Sequence, residues 1–220
     1  MTKKNVNEIS QVWKIPKKYF PRHKGNECKE YVQEIRRSFT SLKYNLRCLQ
    51  YSSSISLFNI TSITSKTLLT PKKRDVFDSV EEFVYHYENF CNRVFSNREK
   101  TYQFINSFYN LGIPKKEVGL NKLKIALSSK PGLISLLSKF ENKSLIIKTI
   151  EERNRLTHNL YFNETNRFLQ PTPNESKDFE KFIKNWASQI KARSKQSLDT
   201  YKQLLELNSR ISIFLIREKN

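Results

Sequence analysis

The chain has 220 residues, of which 40 are Lys or Arg and 21 are Asp or Glu, giving a formal net charge of +19 at pH 7. A charge excess of this size favours a polyanionic partner, or serves solubility. Only 4 residues are Gly, which argues against Gly-rich phosphate loops, dinucleotide-binding folds and turn-dense β-architectures. The 15 Phe, 10 Tyr and 2 Trp provide for an aromatic core, so the composition excludes a disordered chain and fits an all-α protein best.

The cysteines and acidic residues show no metal or disulfide pattern. Cys28, Cys48 and Cys91 are odd in number and contain no C-x-x-C pair, so we expect neither a disulfide framework nor a zinc cluster. No carboxylate pair or His/Cys set has metal-ligand spacing, and we predict no metal and no cofactor. The polar N-terminus lacks an apolar signal segment, and no apolar run is long enough to span a membrane. We therefore expect a cytoplasmic protein with no membrane partner.

The first long helix is predicted near residues 26–50, where apolar residues recur every three or four positions from Cys28 to Leu49. Residues 1–25 lack this pattern and are expected to form a less regular N-terminal arm. Residues 51–77 are also expected to be less regular, as a connector with short helix or strand at most. The reason is their Ser- and Thr-rich composition, because these side chains compete for backbone hydrogen bonds.

A second long helix is predicted near residues 78–110, where an apolar stripe precedes the helix-ending residues Gly112 and Pro114. Arg98 lies on that stripe, where an aliphatic residue is expected. Two interpretations stay open for it. In the first, the aliphatic stem of Arg98 packs in the core while its guanidinium reaches solvent or a carboxylate. In the second, the guanidinium binds an anionic substrate.

Two shorter helices are predicted next, and then long helices near residues 143–161 and 176–217. A Pro-rich linker precedes the last, which is either one long helix or a broken pair. We expect these helices to form an antiparallel bundle, as a single helical domain over residues 1–220.

The densest polar cluster lies on the third long helix, at residues 151–159. Asn154 and His158 lie one turn apart on one face, and Arg153 lies on the adjoining stripe. A cation and an imidazole beside a packing face lower stability unless they are paired or border a cleft. The cluster is therefore either a functional site or a surface ion-pair set that involves Glu151 and Glu152.

The run Arg153-Asn154-Arg155-Leu156-Thr157-His158 reads R-N-x-x-x-H, and in this motif the sequence resembles the HEPN superfamily. Members of that superfamily are all-helical, and many are metal-independent endoribonucleases. With Asn directly after Arg and the spacing fixed, the pattern is expected by chance only about 0.016 times in a chain of this composition. HEPN toxins controlled by nucleotidylation often carry Tyr two residues after the His, but here Leu160 stands there and Tyr161 follows. This departure argues against control by a nucleotidyltransferase antitoxin.

The motif residues suit cleavage of RNA, whose 2′-hydroxyl is its own nucleophile. His158 is suited to moving the proton, Arg153 to holding phosphate oxygens, and Asn154 to orienting the Arg or the helix pair. In-line displacement favours a group on each side of the phosphate, and HEPN domains typically pair, so the resemblance implies a homodimer with a composite active site. The predicted substrate-binding residues are Arg98, Arg155 and Tyr161.

The sequence therefore predicts a metal-independent endoribonuclease that acts on RNA. The resemblance implies a toxin or phage-defence effector, with a cognate antitoxin or regulatory protein as a further partner. Two other classes stay open. One is a noncatalytic basic helical RNA-binding module, and the other is a helical interaction protein whose partner is acidic.

Overall fold

The computed structural model describes residues 13–62, 72–142, 144–158 and 175–219, and within these residues it contains helices and no β-strand. The prediction of an all-α fold is confirmed. Short 3-10 turns occur at Lys17–Tyr19, Arg22–Lys24 and Lys115–Glu117. The α-helices of the described residues are α1 (Gly25–Thr61), α2 (Lys72–Phe108), α3 (Leu120–Ala126), α4 (Pro131–Ser138), α5 (Leu145–His158) and α6 (Glu175–Glu218).

The chain divides into two compact units, and the divisions fall within the four long helices. The first unit comprises Met1–Lys43, Arg93–Ile150 and Thr200–Asn220, and the second comprises Tyr44–Asn92 and Glu151–Asp199. Segments of α1, α2, α5 and α6 occur in each unit, whereas α3 and α4 belong to the first. The expectation of a single domain stays a prediction.

The core of the first unit combines aromatic rings with a buried polar network. Trp13 is fully buried and meets the Phe104 ring edge-on at a centroid distance of 4.7 Å. The Trp13 indole Nε1 donates to Asn208 Oδ1 (2.9 Å), and Asn208 Nδ2 donates to Asn97 Oδ1 (3.1 Å). The indole N–H and the Asn208 amide therefore both have hydrogen-bond partners, so their burial does not carry the cost of an unsatisfied donor.

In the second unit, α1 and α2 run antiparallel and approach closely through serines. Ser52 and Ser56 are fully buried on α1. The Ser52 hydroxyl donates to Leu49 O (3.1 Å), and the Ser56 hydroxyl lies 2.8 Å from Ser52 O and 2.7 Å from Ser79 O in α2. The prediction of an irregular connector is therefore wrong for residues 51–61 and 72–77, which are helical. Hydroxyls that bond back to carbonyls of their own helix need not unwind it, and their small size allows close packing.

Other helix ends follow the sequence closely. α2 ends at Phe108, and Gly112 takes a φ of +71°, which is a conformation that glycine adopts at low cost. α6 is continuous over 44 residues, so the last apolar stripe forms one long helix and not a broken pair. Residues 143 and 159–161, at the predicted ends of the third long helix, lie outside the described residues. None of the helices in the described residues has an apolar segment of the length that a membrane span requires.

Candidate active site

The R-N-x-x-x-H motif lies on the C-terminal half of α5, within the second unit. The start of α5 is capped by Ser144, whose Oγ accepts a hydrogen bond from the Ile147 backbone N–H (3.1 Å). The helix extends to His158. The side chains of Arg155 and His158, and the whole of Tyr161, lie outside the described part, so the roles assigned to these three residues stay predictions.

Arg153 is half-buried and is held by two amide side chains. Its Nε donates to Asn92 Oδ1 of α2 (3.0 Å), and its Nη1 donates to Asn154 Oδ1 (3.0 Å). The oxygens of these two amides accept from different nitrogens of the guanidinium, so the two bonds together fix its direction. The bond from Arg153 to Asn154 is the contact expected if Asn154 orients the Arg153 guanidinium.

Beside Arg153, Glu152 forms an ion-pair cluster with Tyr87 and Arg193, which we call the Glu152 cluster. Glu152 Oε1 accepts from Arg193 Nε (3.0 Å), and Glu152 Oε2 accepts from Tyr87 Oη (2.5 Å). The Arg193 guanidinium also lies 5.4 Å from the centroid of the Tyr87 ring. The side chains of Glu152 and Arg193 are only 13% and 15% exposed, so this pair is largely desolvated. The cluster ties α2 and α6 to the helix that carries the motif.

Two buried side chains of this region, Tyr87 and Cys91, are neutral at physiological pH. Burial, and after it the nearby Cys91 and Glu152, raise the pKa of Tyr87 far above the ordinary tyrosine range. Burial and the charge of Glu152 likewise raise the pKa of the Cys91 thiol. Cys91 therefore does not present a reactive thiolate, and the Glu152 cluster is suited to holding helices and not to proton transfer.

Arg98 belongs to the first unit and is paired with carboxylates there. Its Nη1 lies 3.0 Å from Glu141 Oε1, and its Nη2 lies 3.1 Å from Glu99 Oε1. Tyr102 Oη donates to the same Glu141 oxygen (3.0 Å), and the Arg98 side chain is 13% exposed. This geometry favours the interpretation in which the stem packs and the head meets a carboxylate. Substrate binding by Arg98 stays a prediction.

A family model of HEPN_Cthe2314-like HEPN proteins matches residues 24–215. The chain belongs to this HEPN family. The match begins at the start of α1 and ends near the end of α6, so the likeness seen in one short motif extends over most of the chain. Comparison with curated proteins gave no match, and neither did comparison with solved structures.

The described side chains of this HEPN protein do not form a metal-binding cluster. Among the side chains that the structure describes, no three from His, Cys, Asp and Glu lie close enough together to hold a metal ion. The predicted catalytic residues Arg153, Asn154 and His158 include one imidazole and no carboxylate. This set matches phosphate binding and proton transfer better than metal ligation.

Three residues around the motif helix were missed by the sequence analysis: Tyr87, Asn92 and Arg193. Asn92 follows the buried Cys91 on α2, and the sequence gives no sign that this polar residue contacts another helix. Arg193 lies close to the apolar stripe of α6, three residues after the buried Ile190. Only the arrangement of the helices shows that these side chains reach α5.

Proposed function

We propose that this HEPN protein is a metal-independent endoribonuclease that cleaves RNA through Arg153 and His158. The observation that carries the proposal is the pair of amide hydrogen bonds that hold the Arg153 guanidinium on the motif helix. A guanidinium with a fixed direction suits two oxygens of one phosphate, which a Lys ammonium would bind with less directional control. Membership of a HEPN family and the net charge of +19 support the same substrate class.

The reaction needs a proton acceptor, a proton donor and a cation. The 2′-hydroxyl of a ribose attacks the adjacent phosphorus, the bond from phosphorus to the 5′ oxygen of the next nucleotide breaks, and a cyclic phosphate and a 5′-hydroxyl result. His158 accepts the proton of the attacking hydroxyl. Arg153 stabilises the negative charge that grows on the nonbridging oxygens, and Asn92 and Asn154 hold its direction before the RNA arrives.

The leaving 5′ oxygen also needs a proton, and each copy of α5 offers a single His158. We propose that two copies of the chain form a composite site, in which His158 of one copy accepts a proton and His158 of the other donates one. Each copy would also contribute one Arg153 to the phosphate. In the setting we propose, a toxin or phage-defence effector, a cognate antitoxin or regulatory protein would restrain this activity.

A noncatalytic RNA-binding module is the second candidate, and the net charge of +19 favours it. Phosphate contacts from many Lys and Arg side chains would bind RNA whether or not the motif performs chemistry. The two functions differ in one consequence. Substitution of His158 abolishes cleavage by a nuclease but leaves the RNA affinity of a binding module unchanged.

The experiment incubates end-labelled single-stranded RNA with purified protein in EDTA. We expect wild type to produce fragments that end in a cyclic phosphate, and His158→Ala and Arg153→Ala to cleave at least about 100-fold more slowly. Arg74→Ala is the matched control, because Arg74 is an exposed α2 arginine and its loss changes the net charge equally. It should cleave like wild type.

The cleavage proposal fails if wild type and His158→Ala are equally inert towards RNA. If both then bind RNA with the same affinity, the binding module is supported instead. Cleavage that requires a divalent metal ion would also contradict the proposal.

A further inference from the structure

The basic residues of the chain are concentrated in the first unit. Of the 40 Lys and Arg residues, 26 lie in that unit together with 9 of the 21 Asp and Glu residues, so its formal net charge is +17. The second unit, which carries the motif, has 14 basic and 12 acidic residues and a net charge of +2. A polyanion should therefore be held mainly by the first unit.

Within the first unit, cations and aromatic rings meet where α1 begins and where α2 and α6 end. A depression of about 420 Å³ is lined there by residues 18–21, residues 108–110 and Lys219. The Phe20 ring meets the Phe108 ring edge-on at a centroid distance of 6.5 Å, and Lys219 Nζ lies 5.6 Å from the centroid of the Phe108 ring. These contacts join the three segments into one surface, which we call the basic depression.

The carboxylates beside the basic depression are paired with other lysines. Glu27 pairs with Lys24 (3.0 Å) and Lys115 (3.9 Å), and Glu218 pairs with Lys130. Within the described residues no carboxylate side chain lines the depression, and neither of its two lysines pairs with one. Those two lysines therefore keep their charge available for an anion.

Helix dipoles do not account for the cations that precede α1. Residues 14–26 include five Lys or Arg and no Asp or Glu. Arg22 and Lys24 directly precede α1, at the end of a helix where the dipole favours anions and disfavours cations. A local arrangement that opposes a helix is expected at functional surfaces. The concentration of charge here therefore indicates a ligand.

The aromatic rings decide which polyanion fits. Tyr19 and Tyr109 line the depression and are half-buried. Lys18 Nζ lies 4.9 Å from the centroid of the Tyr19 ring, and Lys130 Nζ lies 5.0 Å from that of Tyr109. Rings set among cations bind single-stranded nucleic acid, because bases stack on the rings while lysines follow the phosphates. A duplex or a lipid surface offers phosphates without unpaired bases and would leave the rings unused.

We propose that the basic depression is a second RNA-binding site, built from other residues than the motif, and that it holds single-stranded RNA. Lys18 and Lys219 bind phosphate oxygens, and Tyr19 stacks on an unpaired base. A volume of about 420 Å³ falls within the range of about 300–1,000 Å³ for ligand sites, so the depression takes one nucleotide of a longer strand. The inference rests on the proposed function only for its ligand class, and it holds whether or not the motif cleaves RNA.

The test measures the affinity of the full chain for fluorescent single-stranded 2′-O-methyl RNA by anisotropy, at several ionic strengths. This RNA has no free 2′-hydroxyl, so binding is measured without cleavage. Lys18→Gln/Lys219→Gln should weaken binding at least about tenfold and reduce the slope of log K against log salt by about 1.4, because two phosphate contacts are lost. Lys181→Gln/Lys191→Gln is the matched control, since it removes two exposed lysines of the second unit, and it should weaken binding less than about threefold.

A second variant tests the stacking ring. Tyr19→Leu keeps an apolar side chain but removes the ring, and it should weaken binding of single-stranded RNA at least about fivefold. Its control is Tyr85→Leu, at a tyrosine of the second unit that is 63% exposed, which should bind like wild type. Duplex RNA should bind Tyr19→Leu and wild type equally, because paired bases are not free to stack. Circular dichroism establishes that each variant is folded.

The site is refuted if wild type does not bind the 2′-O-methyl RNA in dilute salt, or if Lys18→Gln/Lys219→Gln binds it like wild type. Equal weakening by the two lysine pairs would show that only net charge matters, and would also refute it. Unchanged single-strand affinity in Tyr19→Leu would overturn the stacking role. Loss of binding to vesicles of anionic lipid in Lys18→Gln/Lys219→Gln, at unchanged RNA affinity, would make the depression a membrane contact instead.

Cleavage of unmodified RNA separates this inference from the proposed ribonuclease. The basic depression holds substrate before and during the reaction alike, so Lys18→Gln/Lys219→Gln should raise KM at least about tenfold and leave kcat unchanged. Cleavage with an unchanged KM in this variant would overturn the basic depression alone. A wild type that binds RNA through these lysines but does not cleave it would overturn the ribonuclease alone.

Discussion

Asn92 tests how Arg153 is positioned. Asn92→Ala removes the oxygen that lies 3.0 Å from Arg153 Nε and leaves the bond between Arg153 and Asn154 in place. The guanidinium should then sample more directions before it meets a phosphate. Because Arg153 acts on charge that grows during the reaction, we expect the loss mainly in kcat and only slightly in KM.

The expected magnitude follows from the type of bond that Asn92 makes. A hydrogen bond that involves a charged group contributes about 1.5–3 kcal/mol. Both Asn92 and Arg153 are half-buried, so water replaces part of the lost bond and the lower end of that range applies. A loss of about 1.5 kcal/mol that is felt fully in the transition state corresponds to a fall of about 10-fold in kcat/KM.

The assay is single-turnover cleavage of RNA, with Asn89→Ala as the matched control. Asn89 lies one turn earlier on α2, and its Nδ2 donates to Tyr85 O within the same helix (3.0 Å), so its removal should change cleavage less than twofold. Asn92→Asp keeps an acceptor for Arg153 but adds a negative charge. It should retain thermal stability while cleavage falls, an outcome that a purely structural role would not produce. Cleavage by Asn92→Ala as fast as by Asn89→Ala would refute the positioning argument.

Three further predictions concern stability and pH. Glu152→Gln should lower the free energy of unfolding by about 2–4 kcal/mol, because it leaves the guanidinium of α6 largely buried beside a neutral amide. Calorimetry should show a fall in Tm of about 5–15 °C, and the exposed neighbour variant Glu151→Gln should change Tm little. Asn208→Ala should cost about 2–4 kcal/mol, since the buried indole N–H and the neighbouring amide lose their partner, and an unchanged urea midpoint would contradict this. Burial, followed by nearby acidic groups, raises the pKa of Tyr87 and Tyr102 in the folded state above their unfolded value of about 10. Their contribution to stability is therefore complete below about pH 10 and is lost as the pH rises above it. Tyrosinate absorbance should then reach its full amplitude only together with loss of helical circular dichroism, and full ionisation of a folded protein would disprove the argument.

The long helices could be predicted from the sequence because their apolar residues repeat with helical spacing over many turns. The failure at residues 51–61 has a specific cause. Ser and Thr compete with the backbone in an isolated chain, but here the hydroxyls of Ser52 and Ser56 bond to carbonyls of their own helix and pack against α2. Local propensity is overridden when small polar residues allow two helices to approach closely.

The motif is visible in the sequence itself, since Arg153, Asn154 and His158 lie close together along the chain, and its catalytic role stays a prediction. The surroundings of Arg153 could not, because Asn92 is 61 residues away. Arg193, the ion-pair partner of the adjacent Glu152, is likewise 41 residues from it. Spacing along one helix shows which side chains share a face, but not which other helix that face meets.

The net charge of +19 gives added salt two opposite effects on this protein. Ions weaken the attraction between basic residues and phosphates, so RNA affinity should fall steeply as ionic strength rises. The same ions screen the repulsion between two chains of charge +19. Association of the two copies that would form the proposed composite site should therefore tighten over the same range. Ionic strength would then divide the population between RNA-bound chains in dilute salt and free dimers in concentrated salt, and cleavage would be fastest at an intermediate concentration.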